Sequence, residues 1–446
     1  MLALWGVEPF PNRRTDRIIG KRNSLMQRVI VIAGKDPTVV DGGSESYLRA
    51  YGLAAIRAGY EPHHFTVGKK ADLLVTEFGV VHRVYSPFRP FRGLMVAAHQ
   101  PFIVNAVDRF VGQTRDKCLI HSFGPWGGVG VAVARRLEKR GIDAITAVTA
   151  FGTYNHETRG KLRRLRAEQL TLTRLQHEWE LFWTRLTVDP SERRGYRGSL
   201  VLVNYDSVRR IIERQFGSNA ISFIKTRYCS ESAFMSAERG RAKVPDRIAQ
   251  LEPKDAPLIV AVSRHDPRKG IDVLLQALAK LKQADIAFRA CLVGGGILLE
   301  KHRNLASYLE LAGSTAIVGR VPDAREYVDH ADIFVLPSIE EGSGSVSLLE
   351  ALQAQVAAVV TNIDGLPEDV THELSALIVD PDNSESLFTA LSRLLTDARL
   401  RKQIAQAGHR RYLERFSADA FSSDIIWVYS TLGFPPHSRA TALLPN

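Results

Sequence analysis

In the stretch SRHDPRKG, Ser263 to Gly270, two cations flank a turn between an apolar strand and the start of a helix. Arg264 can grip oxygens in a planar fork and Lys269 acts as a point charge, so the pair suits a diphosphate. Read alone, the two could equally be solvated surface charge. A second polar group stands in ADIFVLPSIEEGSGSVSLLEALQ, Ala331 to Gln353, where Glu340, Glu341, Gly342 and Gly344 follow a short apolar run and Glu350 lies one helical segment on. Acids and glycines at the carboxyl end of a buried strand stand where open α/β sheets put their ligands. Surface acids in an ordinary strand–loop–helix unit are the plain alternative. Gly42 and Gly43, after the first strand, let a backbone approach an anion at a helix start, with Ser44 as a candidate cap; a simple turn is the alternative. His121 ends a strand in IHSFGPWGGVG, a site candidate or a hydrogen-bonded structural histidine.

These residues need strands and helices to hold them. Arg28 to Ala33 reads as the first strand, and the helix after Gly43 buries Tyr47, Leu48 and Tyr51. A helix over 90–110, strands over 117–121 and 144–149, a strand over 199–203, a helix over 205–216 and a strand over 221–224 continue the alternation. Residues 225–256 loosen into polar sequence with Gly240, Pro245 and Pro253, as a connection between domains would. From Pro257 a second series begins, with strands near LIVAVS, RACLVG, TAIVG, DIFVLP, AAVVT and ALIV; Ile271, Leu274, Leu275 and Leu278 give its first helix one apolar face. Gly294, Gly295 and Gly296 form another strand-end loop able to approach a ligand. Two βα series joined by a linker imply an α/β protein of two doubly wound, Rossmann-like domains facing each other. The expected division is a tail over 1–26, a first domain over 27–240, a linker over 241–256, and a second domain over 257–415. A C-terminal helix and tail over 416–446 are expected to pack back toward the first domain.

His156 to Leu186 reads as one long helix, striped by Leu162, Leu165, Leu172, Leu175, Trp179, Phe182 and Leu186. Arg159, Lys161, Arg163, Arg164 and Arg166 lie near its start. Such a helix either lies on an anionic membrane, contacting it through Arg159 to Arg166, or is a core helix with a solvated basic face.

The 446 residues suffice for two domains. With 45% apolar and 24% charged residues, the composition is that of a soluble globular protein. No apolar run is long enough to span a bilayer, and MLALWGVEPFPNRRTDR reads as a basic tail or a mis-assigned start rather than a leader. Cys118, Cys229 and Cys291 are scattered and lack metal spacing, which points to a reducing cytosol. The expected location is cytoplasmic, with peripheral contact at the inner face of a membrane as an option. A net charge of +11 would serve nucleic acid, anionic lipid or phosphorylated substrates. The run of βα units without an RNA-binding motif argues against nucleic acid. Asp380 and Asp382 form D-P-D before an Asn383–Ser384 helix cap, and turn chemistry rather than metal binding is the reading there. Oligomeric state is left open.

The segments VSRHDPRKGIDVLLQAL, LVGGG, IVGRVPDAREYVDHADIFVLPSIEEGSGSVSLLEALQ and TNIDGLPEDVTHELSALIVDPDNSESL, in this order, resemble the donor domain of the retaining glycosyltransferases of family 4, which have the GT-B fold. The likeness covers nearly all of 257–387. The first half matches more loosely, through GGSES, the His121 strand and the region after Val203. The resemblance implies that Arg264 and Lys269 hold the diphosphate of a nucleotide sugar, that Glu350 binds its ribose hydroxyls, and that Glu341 reaches its sugar. Gly43, with Gly42, would approach the diphosphate from the opposite domain, and Gly344 would lie at the donor. It further implies transfer to a carbohydrate or lipid-linked acceptor with retained anomeric configuration, without cofactor or metal. The sequence departs from the family twice. Eight residues separate Glu341 from Glu350, one more than the usual spacing, so Glu340 is an alternative to Glu341. Phe151 stands where the family often has a histidine, leaving His121, Thr153 or His156 to supply a polar contact. A sugar-nucleotide epimerase of the same fold and a non-catalytic, transferase-like binding protein are the competing readings.

Overall fold

The computed structural model describes residues 26–39, 42–88, 96–113, 116–164, 172–235 and 244–437. The first half is an eight-stranded sheet in the order β3-β4-β2-β1-β5-β6-β7-β8. Its strands are β1 (Gln27–Ile32), β2 (Tyr60–Gly68), β3 (Asp72–Thr76), β4 (Gly79–Tyr85), β5 (Cys118–Phe123), β6 (Ala144–Ala150), β7 (Leu200–Val203) and β8 (Ser222–Lys225). All neighbours pair in parallel except β3 with β4. The β1 strand is central because Val29 to Ile32 are buried on both faces, as continuous apolar runs of parallel sheets are.

The strands β2 to β4 were not legible in the sequence. Here His63, His64 and His82 take buried positions that a pattern reading expects to be apolar. Their polarity is partly met inside the sheet: His63 Nδ1 and His82 Nε2 are 3.0 Å apart, and His64 Nε2 donates to the Phe78 carbonyl at 3.2 Å. Burial lowers the pKa of His64 to about 4 and that of His82 to about 3, so both stay neutral at pH 7.

The second half is a six-stranded, all-parallel sheet in the order β11-β10-β9-β12-β13-β14. It comprises β9 (Leu258–Val262), β10 (Arg289–Val293), β11 (Thr315–Gly319), β12 (Ile333–Leu336), β13 (Ala357–Thr361) and β14 (Leu377–Val379). In this order the chain turns back between β9 and β12, which pair at Ile259 and Ile333. The loops leaving those two strands carry SRHDPRKG and EEGSGS, so both polar groups meet at the topological switch point.

Among the helices, α1 (Gly43–Arg57) follows β1, α2 (Val96–Val111) and α3 (Gly127–Glu138) flank β5 in the chain, and α4 (Tyr154–Arg164) follows β6. Residues 90–95 of the helix expected over 90–110 lie outside the described residues. The single helix expected over 156–186 is not one helix. Its described parts are α4 and α5 (Leu172–Trp183), which packs on α4, followed by a π-helical turn (Thr184–Val188) and α6 (Asp189–Gly198). Residues 165–171 lie outside the described residues.

Four more helices follow the chain: α7 (Asp206–Phe216) after β7, α8 (Ile271–Gln283) after β9, α9 (Leu299–Tyr308) after β10, and α10 (Val346–Gln353) after β12. The chain closes with α11 (Ser384–Thr396), α12 (Ala398–Arg415) and α13 (Ala418–Thr431). The Asn383 side chain caps α11 by accepting from Glu385 and Ser386 N–H, both at 3.0 Å, which is the turn chemistry read for D-P-D-N. The last helix crosses to the first half and packs on α1. There Arg227 N donates to Asp424 at 2.6 Å, and the Tyr51 and Tyr429 hydroxyls touch. Among the described residues no helix is long and apolar enough to cross a membrane.

Candidate active site

Between the two sheets lies a cleft of about 1100 Å³ lined from both halves of the chain. Gly42, Gly43, Thr153, His156, Arg264, Lys269, Glu340, Glu341, Gly344 and Glu350 all line it.

The floor on the second-half side is built by two loops fastened to each other. The backbone carbonyl of Arg268 accepts from Ile339 N at 2.7 Å and from Glu340 N at 3.1 Å, so the SRHDPRKG turn and the acidic loop move as one. At the end of the turn Gly270 has φ 59°, and a Cβ there would meet the Pro337 carbonyl at 2.1 Å. Only glycine satisfies both the left-handed backbone and this approach. Neither α8 nor α10 has a side-chain cap at its N-terminus. Ser345 stands at the cap position of α10, but its hydroxyl pairs with Ser347 Oγ at 3.0 Å, and Ser347 Oγ donates to the Val262 carbonyl at 3.1 Å. The first N–H groups of both helices therefore have no side-chain acceptor, an arrangement that suits an anion. The Ser44 cap expected on α1 is also not formed: that helix starts two residues earlier than such a cap requires, with Gly42 at the cap position and no side-chain bond.

Lys269 Nζ lies 2.5 Å from Glu341 Oε2, while Glu341 Oε1 accepts from Ser338 Oγ at 2.5 Å. The backbone N–H groups of Glu341 and Gly342 both donate to one oxygen of Asp364 at 2.7 Å. Sequence reading missed Asp364 and Ser338. Asp364 stood in the quoted segment TNIDGLPED, but nothing in its spacing ties it to a loop more than twenty residues earlier. Glu340 points elsewhere, since a Cβ on Gly160 of α4 would collide with its carboxylate. Of the two acids, Glu341 is the one beside Lys269.

Arg264 reaches outward, with 63% of its side chain exposed and its guanidinium 3.5 Å from Asp266. The neighbouring Arg268 is buried and lies 3.4 Å from Asp266 and 3.8 Å from Glu157 of α4. Burial alone would raise the Asp266 pKa, but Arg268, Arg264 and Lys269 outweigh it and hold the carboxylate below its ordinary range. Glu350, on α10, is part-buried, and burial raises its pKa to about 7 against the opposing charge of Arg325. Asp323, Glu231 and Asp329 push in the same direction as burial. Arg325 forks onto Asp323 through two hydrogen bonds of 2.9 Å.

From the first half, Gly43 approaches α10, where a Cβ would stand 3.5 Å from Val346. Gly344 has no room for a side chain: the Tyr205 hydroxyl, held 3.0 Å from Asp369, would lie within 1.9 Å of its Cβ. Thr153 is buried and accepts from His156 N at 3.2 Å, so its hydroxyl serves the start of α4. Phe151 stands between Tyr47 and Phe123 and forms an aromatic wall with them.

Two expectations are corrected. His121 is outside the cleft: it is 2% exposed, with Nδ1 2.7 Å from the Tyr429 hydroxyl and Nε2 2.8 Å from Thr149 Oγ1. Burial lowers its pKa to about 3, and it is a structural histidine covered by α13. The loop of Gly294 to Gly296 approaches protein rather than a ligand, because Gly294 lies against the Ser263 carbonyl and Gly296 against that of His265. Of the basic residues proposed for membrane contact, Arg159 is exposed, and the side chains of Lys161, Arg163, Arg164 and Arg166 lie outside the described residues.

The chain is similar to known proteins in sequence over its second half and in fold over most of its length. Residues 244–411 match the family model "Glycosyl transferases group 1". The lipopolysaccharide core biosynthesis glycosyltransferase LpsE of Rhizobium meliloti is 28% identical over 183 residues, 41% of this chain and 52% of that protein. The GDP-mannose-dependent alpha-(1-6)-phosphatidylinositol monomannoside mannosyltransferase of Mycolicibacterium smegmatis is 31% identical over 185 residues, 39% of this chain and 48% of that protein. The chain thus spans about half the length of the curated relatives it matches. The structure of sucrose-phosphate synthase from Thermosynechococcus elongatus superposes with a TM-score of 0.65 at 21% identity, covering 91% of this chain and 99% of that one. The two facing α/β sheets are the GT-B fold, and residues 244–411 are similar to the glycosyl transferases group 1 family.

Proposed function

We propose that the protein is a glycosyltransferase that takes a nucleotide-diphosphate sugar in its second half and transfers the sugar, with retained anomeric configuration, to a carbohydrate or lipid-linked acceptor held by the first half. The observation that carries this reading is the convergence of Arg264, Lys269 and Glu341 with the uncapped start of α10 on one cleft. Arg264, Lys269 and the helix N–H groups take the diphosphate, Glu350 accepts from the ribose hydroxyls, and Glu341 meets the sugar. The bond between the anomeric carbon and the diphosphate oxygen breaks as the acceptor oxygen approaches from the same face. The acceptor's proton passes to the departing diphosphate. Charge growing on the leaving group is met by cations already in place, which lowers the barrier without a side-chain nucleophile and without a metal.

A thermal-shift panel of UDP, GDP and ADP and their sugars, with and without EDTA, tests the donor site. One nucleotide should stabilise the protein, EDTA should leave the shift intact, and Arg264→Ala and Lys269→Ala should both abolish it. The absence of a shift with every nucleotide would overturn the reading. Mass spectrometry of products from the stabilising nucleotide sugar, offered with soluble and lipid acceptors, then identifies the acceptor class.

A further inference from the structure

The apolar stripe of α5 and the turn after it faces outward. Leu175, Trp179, Phe182 and Leu186 are 58%, 54%, 60% and 58% exposed, and their spacing of four, three and four residues sets them in one ridge. This contradicts the core-helix reading of the stripe, and it needs an occupant. The opposite side of α5 is docked. Glu180 accepts from the Tyr154 hydroxyl at 3.0 Å and pairs with His177 at 3.0 Å, while Thr184 is fully buried. Trp183 braces the ridge from beneath, with its ring 5.7 Å from that of Trp179 and 5.8 Å from that of Phe182.

We infer that this ridge enters the surface of an anionic phospholipid membrane. Charge is the first reason. Among the described residues of 154–198, the exposed charged residues are Arg159, Arg174, Arg185, Arg193, Arg194 and Arg197 against Glu178, which pairs with Arg174 at 3.0 Å, and the half-exposed side chain of Glu157. A helix with aromatic and leucine side chains on one face and arginine beside them is the kind that lies in the plane of a lipid headgroup layer. Area is the second reason. Four side chains of roughly 200 Å² each, exposed by a little over half, offer about 450 Å². That falls well short of the about 800 Å² per partner of a stable protein interface. A bilayer sets no such minimum, because tryptophan and phenylalanine partition singly into its interface.

The placement gives the contact a use. The inner side of α5 holds Tyr154, and Tyr154, His156 and Glu157 line the cleft on the first-half side. A ridge seated in lipid would set that side of the cleft against the membrane, where the sugar headgroup of a lipid-linked acceptor is presented. This inference rests on the transferase reading above and narrows it to acceptors carried by lipid.

Flotation with phosphatidylcholine vesicles, with and without phosphatidylglycerol, tests it on the whole protein. The parent should float with the anionic vesicles at low salt and release as salt rises. The triple variant Trp179→Gln, Phe182→Gln, Leu186→Gln should lose affinity by at least about tenfold, as should Arg159→Gln combined with Arg185→Gln. Far-UV circular dichroism and the nucleotide thermal shift should be unchanged in both, since none of these side chains contributes to the donor site. Equal flotation of parent and triple variant, or no flotation of the parent, would overturn the inference. So would light scattering that shows a parent dimer and a monomeric triple variant, which would make a second copy the occupant. If nucleotide still stabilises the parent, such a failure falls on the membrane contact and leaves the transferase reading standing.

Discussion

Lys269 and Glu341 form a closed ion pair inside the cleft, with 11% and 8% of their side chains exposed. A diphosphate entering the cleft needs the ammonium that the carboxylate now holds. On the reading proposed above, the donor exchanges one anion for another on Lys269, and Glu341 is released toward the sugar as the phosphate takes its place. Removing one partner of a buried pair leaves the other uncompensated until a ligand arrives.

Glu341→Gln should consequently separate binding from turnover. Nucleoside diphosphate alone, measured by calorimetry, should bind as tightly as to the parent or up to about tenfold tighter, because Lys269 no longer has to leave a carboxylate. Transfer from the sugar nucleotide should fall by about 100-fold as a group facing the reacting sugar is lost. Weaker diphosphate binding in this variant would show that Glu341 supports the phosphate site rather than competing with it.

Glu350 should make nucleotide binding depend on pH near neutrality. Only its ionised form accepts from two ribose hydroxyls at once, and burial raises its pKa to about 7. Affinity for nucleoside diphosphate should decline as pH falls below that value. Glu350→Gln should bind more weakly at high pH and lack this component of the profile, which separates it from titration of the phosphate itself. The same shift affects stability with a definite sign. Between about 4.5 and about 7 the unfolded chain has already lost the proton that folded Glu350 keeps. The Glu350 contribution to stability therefore falls as pH rises through that window, and is constant above and below it. Urea midpoints of parent and Glu350→Gln should diverge across that window and nowhere else; a constant difference would remove Glu350 as the titrating group.

The legible and illegible parts of this chain divide along one physical line. The second sheet could be read because Leu258–Val262, Ile333–Leu336 and Ala357–Thr361 are continuous apolar runs buried on both faces, each ending in a loop with its own polar signature. Arg264 and Lys269 stood in one of those loops and Glu350 on the helix that follows another, and all three line the cleft. Contacts between distant parts of the chain were not readable. His121 had the strand-end position of a site residue, but Tyr429, 308 residues away, covers it. Asp364 had no local feature to mark it, and its role exists only because β13 lies beside β12. The stripe from Leu175 to Leu186 had the right period for a buried helix, yet periodicity gives the face and not which way it points.

Gly270→Ala should be costly for two reasons that add. The backbone there is left-handed, and the added Cβ would press on the Pro337 carbonyl. Strain of this kind costs about 1–3 kcal/mol. Relief requires the SRHDPRKG turn to shift, which moves Lys269 away from Glu341. The urea midpoint and the nucleotide thermal shift should drop together. A variant that is destabilised but binds nucleotide normally would show that the turn can relax without carrying Lys269 with it.

Asp364→Ala tests whether the acidic loop is held or merely placed. Its carboxylate accepts from the backbone N–H groups of both Glu341 and Gly342, and charge-assisted bonds of this length are the stronger kind. Without it the loop keeps its other fastening, the Arg268 carbonyl on Ile339 and Glu340. The loop should therefore stay near its place while the Glu341 carboxylate loses its fixed aim. Stability should fall by about 1–3 kcal/mol. Nucleoside diphosphate affinity, which the proposed reading assigns to Arg264, Lys269 and the start of α10, should change little, while kcat for transfer falls by about tenfold or more. A parallel loss of diphosphate affinity would instead mean that Asp364 holds the phosphate side of the cleft together, and that the two loops depend on it as one unit.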